Sequence, residues 1–169
     1  MVLATKNSGK IREIRQILSS LPISISTLDD FPDLPEVRED GRSYLENALK
    51  KARLISEAAG EPVLADDSGL EVDALDGAPG IYSARYAGDD ATDEENIKKL
   101  LANLLAVPVE KRGAAYHCVL VFYRPDGAYE AFTGRWEGRI HDMPLGEKGF
   151  GYDPIFFLPD RGITVGQLP

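Results

Sequence analysis

The chain has 169 residues, with 19 Lys and Arg against 28 Asp and Glu, a formal net charge of −9, and 43% hydrophobic residues. That length suits one domain, and a chain of this size buries roughly 70% of its unfolded surface, which excludes disorder, collagen and coiled coil. The acidic balance argues against nucleic-acid binding, which needs a basic face, yet it leaves room for a small phosphorylated ligand held by a few local lysines. No window approaches about 18 consecutive apolar residues and no basic-then-apolar leader opens the chain, so neither a membrane span nor a secretion signal is expected. One cysteine makes no internal disulfide, in keeping with a reducing cytoplasm. His117, Cys118 and His141 are too few for a zinc site of the usual type, so any metal is expected to be a hard cation on carboxylates, magnesium or manganese.

Taken in chain order, Met1 to Thr5 is a short apolar run, Lys6 to Gly9 a turn, and Ile11, Ile14, Ile17 and Leu18 recur at helical spacing, which predicts a βα unit. A second strand is expected over Ile23 to Thr27, and a Pro- and acid-rich loop over 29–41. Leu45, Ala48, Leu49, Ala52 and Ile55 form one apolar stripe, predicting a helix from Ser43 to Ala59 that Gly60 can stop. Pro62 to Ala65 reads as a buried strand ending at Asp66-Asp67-Ser68-Gly69, followed by an alternating stretch, Leu70 to Leu75, and a Gly/Pro-rich loop. Thr92 and Glu95 have capping-box spacing ahead of a helix carrying Ile97, Leu100, Leu101, Leu104 and Leu105. Ala114 to Arg124, Ala128 to Thr133 and Trp136 to His141 read as a three-stranded meander turning first at Pro125-Asp126-Gly127, with another strand over Pro154 to Leu158. Early βαβα units followed by a meander predict an α/β fold with a mixed sheet in two lobes.

Three stretches have chemical potential. Thr5-Lys6-Asn7-Ser8-Gly9-Lys10 joins a strand end to a helix start, where free N–H groups and a positive helix end favour phosphate. It lacks the Walker A pattern, with Ala4 and Ile11 where that motif needs Gly and Ser/Thr. Asp66 and Asp67, adjacent at a strand end, repel unless a cation or proton offsets them; an Asp-rich turn opening a hairpin is the plainer alternative. Gly149-Phe150-Gly151-Tyr152-Asp153-Pro154 could stack a ring on a nucleobase, or be a tight loop pinned by a core aromatic. Glu39 and Asp40 alone read as solvated charge, Lys51 and Arg53 as helix surface, Asp89-Asp90 as serving the Thr92 helix, and Cys118 as inert core. His117 and His141 receive no role.

In combination, five segments resemble the non-canonical purine nucleoside triphosphate pyrophosphatases, the inosine triphosphatase (XTP/dITP diphosphatase) family. They are Thr5 to Lys10, Tyr44-Leu45-Glu46-Asn47-Ala48, Leu64 to Leu70, Gly77 to Tyr86, and Gly149 to Pro154, in the family's order and spanning nearly the whole chain. The resemblance implies hydrolysis of ITP, dITP or XTP to monophosphate and pyrophosphate, which cleanses the nucleotide pool. It implies magnesium (manganese as a substitute), a cytoplasmic homodimer, and an elongated mixed sheet flanked by helices, with a central cleft between two lobes. By position, Asp67 matches the general base and a metal ligand. Glu39 matches the second metal ligand, with Asp40 beside it should the register slip by one. Thr5, Lys6, Asn7, Ser8, Gly9 and Lys10 would hold the triphosphate, Asn7 and Lys10 most directly, with Lys51 assisting. Ser68 would touch substrate, Phe150 would stack on the base, and Gly151, Tyr152 and Asp153 would complete its pocket.

The family continues through a Lys and a Ser-His-Arg segment that help read the purine 6-oxo group. Residues 1–169 end before them, so a single domain lacking its C-terminal segment is expected. Two alternatives stand beside this: a nucleotide-binding module without turnover, and a pyrophosphatase for other modified nucleotides.

Overall fold

A computed structural model describes residues 1–169. The opening apolar run becomes β1 (Val2–Leu3), and α1 (Ser8–Ile17) follows at once, capped by the Asn7 side chain, which accepts from the Lys10 N–H. Only the last two residues of the expected second strand pair, as β2 (Ser26–Thr27); residues 23–25 lie outside it. The long helix forms as its stripe dictates. It is α2 (Tyr44–Ala59), with Ser43 as N-cap and Gly60 closing it in the left-handed conformation. Later come α3 (Asp93–Asn103), opened by the Thr92–Glu95 capping box, and β4 (Gly113–Tyr123). The first-turn acids of α3 are Asp93, Glu94 and Glu95, while Asp89 and Asp90 lie in the turn before them.

Three expectations are corrected. The strand expected to end at Asp66 instead runs through it as β3 (Val63–Val72), taking in Asp66, Asp67, Ser68 and Gly69. No hairpin turn opens there. Two adjacent carboxylates are tolerated in a buried strand because successive side chains point to opposite faces, and each finds its own partner. The second and third meander strands are one, β5 (Tyr129–Ile140). A Cβ at Gly134, between the two expected strands, would meet nothing within 4 Å, and the backbone stays extended through it. The C-terminal part adds β6 (Phe156–Leu158), shorter than expected, and β7 (Ile163–Thr164), which its two residues were too few to announce.

All seven strands form one sheet in the order β2-β1-β3-β4-β5-β6-β7. β1 pairs in parallel with β2 and β3, whereas β5–β6 and β6–β7 are antiparallel, so the sheet is mixed as expected. The chain divides into two compact units, one of Met1–Asp67 with Cys118–Thr133, the other of Ser68–His117 with Gly134–Pro169. β3, β4 and β5 contribute residues to both.

Each unit has its own core. In the first, Ala48, Ala52 and Ile55 of α2 lie against Val2, Ala4, Val63, Ala65, Val119, Val121 and Tyr123. The two alanines let the α2 backbone approach the sheet closely. In the second, Ile97 and Leu100 of α3 and Leu104 just past its end join Leu70, Val72, Ile140, Ile155, Phe156 and Leu158.

Candidate active site

The first unit gathers most of the charged candidates. Val63 and Ala65 face the α2 core, and strand alternation puts Asp67 on that same face and Asp66 on the other. Asp67 is 7% exposed, and Asn47 of α2 donates its amide N–H to Asp67 Oδ2 at 2.9 Å. Asp66 is 4% exposed and meets Lys10 of α1, whose Nζ lies 2.5 Å from Oδ2. The expected repulsion between neighbouring carboxylates is thus relieved by divergence. One is paired with an ammonium, the other with a neutral amide.

Burial pushes the Asp67 carboxyl above the usual carboxylate range. The Asn47 hydrogen bond opposes that shift, the Glu39 charge adds to it, and Lys51 and Lys10 pull it back. The charges that act on Asp67 are thus those of Glu39, Lys51 and Lys10. Glu39 forms an ion pair with Lys51. Asp40 is instead exposed and paired with Lys50 at 2.5 Å, a contact that holds its carboxyl below the usual range. Of the two adjacent acids, Glu39 is the one whose charge acts on Asp67.

Around Thr5 to Lys10, the strand-to-helix turn has the expected form. Thr5 Oγ1 accepts from the Asn7 N–H at 3.2 Å and Asn7 Oδ1 from the Lys10 N–H at 3.1 Å. The Asn7 side-chain oxygen therefore serves its own helix. Lys6 is exposed, 3.9 Å from Glu36, a surface pair of little energetic weight. No acid stands in the first turn of α1 to compete with an incoming anion.

In the second unit, the Gly149–Asp153 segment is a tight loop tied to its own carboxylate. Asp153 Oδ2 accepts from the Phe150 N–H and Oδ1 from the Tyr116 hydroxyl, each at 2.9 Å. Burial, then the adjacent Asp153 charge, pushes the Tyr116 phenol well above its usual range, so it stays a donor. Gly149 has φ +82, and a Cβ there would collide with the Asp153 carboxylate. The Gly151 N–H donates to Asp93 at 2.6 Å. Tyr152 is 4% exposed within the core, its hydroxyl on the Ser83 carbonyl at 2.8 Å, so it braces the loop from beneath. Phe150 and Ser68 are half-buried.

Sequence reasoning gave Asp66 a possible cation but no named role, and passed over Asn47 and Tyr116 as site residues. Asn47 had a signal: it is one helical turn before Lys51. Tyr116 had none, since an aromatic in an alternating strand reads as packing. His117 and His141 stay outside the candidate site; Arg135 Nε donates to His117 Nε2 at 3.1 Å, and His141 Nδ1 lies 3.0 Å from the Met143 carbonyl oxygen.

No group of three or more His, Cys, Asp or Glu side chains is arranged to hold a metal. Two carboxylates suffice for magnesium, which keeps several waters and takes further oxygens from substrate phosphates. Glu39 and Asp67, both in the first unit, are the two carboxylates the resemblance offers for it.

The profile of the Ham1 family matches residues 1–169. The dITP/XTP pyrophosphatase of Geobacter sulfurreducens is 53% identical over 169 residues, covering 100% of this chain and 85% of that protein. The dITP/XTP pyrophosphatase of Geobacillus kaustophilus is 48% identical over 168 residues, 99% of this chain and 82% of its own. Among solved structures, a HAM1 protein from Coxiella burnetii superposes with a TM-score of 0.90 at 42% identity, covering 99% of this chain and 86% of that one. A nucleoside-triphosphatase / dITP/XTP pyrophosphatase from Mycobacterium abscessus gives a TM-score of 0.84 at 41% identity, over 99% and 87%.

Proposed function

The chain belongs to the Ham1 family, and on that premise we propose that it hydrolyses ITP, dITP and XTP to the nucleoside monophosphate and pyrophosphate. The observation that carries this reading is the company of Asp67. A buried carboxylate has Glu39, Lys51 and Lys10 within electrostatic reach in the same unit as the capped N-terminus of α1. Two cations suit a triphosphate, and one oriented carboxylate suits a water.

The backbone N–H groups at Ser8 and Gly9, with the side chains of Thr5, Lys6 and Asn7 and the ammonium groups of Lys10 and Lys51, hold the phosphate oxygens. Both lysines are paired with carboxylates in the free protein, so substrate takes them from Asp66 and Glu39 or shares them. Glu39 and Asp67 would hold Mg²⁺, or Mn²⁺ in its place; when bound, the ion supplies charge neutralisation of the triphosphate and polarises its phosphoryl oxygens. Asn47 engages Oδ2 of Asp67. Oδ1 then accepts the proton of a water whose oxygen attacks the α-phosphorus. The bond from that phosphorus to the bridging oxygen breaks in line, and pyrophosphate leaves.

The base is assigned to the Gly149–Asp153 loop. Phe150 stacks on it, Gly151 and Asp153 orient it, Tyr152 supports the loop, and Ser68 contacts substrate. A homodimer is part of this reading, and light scattering measures it directly. No helix is long and apolar enough to cross a membrane.

Product analysis tests the reaction class. Monophosphate and pyrophosphate in equal amounts support it, nucleoside diphosphate with orthophosphate contradicts the α-phosphorus as the point of attack, and tight ITP binding without products makes the protein a binding module.

A further inference from the structure

Asn47 is 1% exposed, and its amide is used at both ends. Nδ2 donates to Asp67 Oδ2 at 2.9 Å, while Oδ1 accepts from the Gly41 N–H at 2.7 Å. Gly41 immediately follows the Glu39-Asp40 pair. The approach tolerates no side chain at position 41, since a Cβ would stand 2.7 Å from Asn47 Oδ1 and 2.9 Å from Glu46 Cβ. The next loop residue is tied down too: the Arg42 N–H donates to the Glu46 carboxylate at 2.8 Å, and Ser43 caps the helix through the Glu46 N–H at 3.2 Å. The acidic loop is thus bound along three successive residues to the first turns of α2. Asn47 alone among these contacts also reaches β3.

We propose that Asn47 is a positioning residue that sets the spacing of Glu39 and Asp67, by joining the backbone of the acidic loop to the Asp67 carboxylate through one buried amide. A neutral amide suits this task. Lysine in its place would form an ion pair with Asp67 and compete for the oxygens that a cation needs, and leucine would leave a buried N–H and a buried carboxylate oxygen unsatisfied. The inference rests on the assignment of Glu39 and Asp67 as the magnesium ligands.

The test combines Mg²⁺ calorimetry on the substrate-free protein with steady-state kinetics. Asn47→Ala removes the bridge, and Gly41→Ala keeps the amide while its Cβ displaces the loop. Ser43→Ala, which removes the cap of the same helix, is the control for general loosening. Both bridge variants are expected to weaken Mg²⁺ binding by about tenfold or more and to lower kcat by at least as much, with the KM for ITP at saturating Mg²⁺ within about threefold of wild type; a tenfold change corresponds to about 1.4 kcal/mol. Ser43→Ala is expected to lower Tm while leaving both quantities within about twofold. Mg²⁺ binding and kcat unchanged in folded Asn47→Ala, or equal losses in Ser43→Ala, overturn the proposal. If Asn47→Ala does not fold, Gly41→Ala decides. If the wild type releases no pyrophosphate the proposed function falls, and the calorimetric comparison still decides the role of Asn47.

Discussion

Replacing Lys10 by Met strips the cation from a carboxylate that has almost no access to water. Asp66 keeps 5% of its side chain exposed and Lys10 keeps 23%, with 2.5 Å between the charged atoms. Breaking a buried ion pair from one side costs about 3–5 kcal/mol, because the remaining charge is left desolvated. Lys10 is partly solvated, so water can enter where the ammonium stood, and about 2–4 kcal/mol is the expected loss. For a chain of this size that is a fall in Tm of about 4–16 °C. The double variant Lys10→Met/Asp66→Leu removes both charges and is expected to recover most of the loss, since apolar pairs of similar volume replace buried ion pairs at little cost. Urea unfolding of wild type, both single variants and the double variant closes the cycle. Turnover separates the second role of Lys10: the double variant regains stability while its KM for ITP stays raised. A Lys10→Met variant within about 0.5 kcal/mol of wild type, or a double variant no more stable than Lys10→Met, would refute the view that this pair holds α1 to β3.

Asp67→Asn is expected to keep the fold and to lose at least about 10²-fold in kcat, the low end for removal of a general base; near wild-type turnover removes Asp67 from the mechanism. The same variant gives a pH signature in metal-free buffer. Because burial raises the Asp67 pKa in the folded state, its stabilising share is present below the unfolded value of about 4 and is lost as pH rises through the raised folded value. Wild type and Asp67→Asn should therefore match in strongly acid solution, with wild type falling progressively behind above it, and a gap that does not change with pH contradicts this. Gly149→Ala forces a Cβ into a left-handed backbone position and against the Asp153 carboxylate, so the KM for ITP should rise more than kcat falls. Kinetics indistinguishable from wild type would detach that loop from the base. Thr92→Ala removes a complete capping box and should cost about 1 kcal/mol in urea unfolding with no change in kcat.

How much of this was legible in the sequence depends on how local each cause is. Ser43, Gly60, the Thr92–Glu95 box and the α2 stripe act over three to five residues, and their helices formed where expected. Asp66 and Asp67 misled because strand propensity describes residues without their partners, and Lys10 and Asn47 come from 56 and 20 residues away. The candidate site divides likewise. Asp67, Glu39, Lys10 and Lys51 were found by family motif, and the structure brings them into one electrostatic neighbourhood. Asn47, although inside a family segment, and Tyr116 were given no role, because their roles lie in what they hold rather than in their own chemistry. Tyr152, expected at the substrate, is a core residue whose ring braces the loop.

The most direct test of the account is pyrophosphate release in the presence of Mg²⁺ from ITP, dITP and XTP, set against ATP and GTP under identical conditions. Release from the first three at least about tenfold faster than from the last two, a difference of about 1.4 kcal/mol, is the predicted result. Equal rates on all five, or none on any, would contradict it.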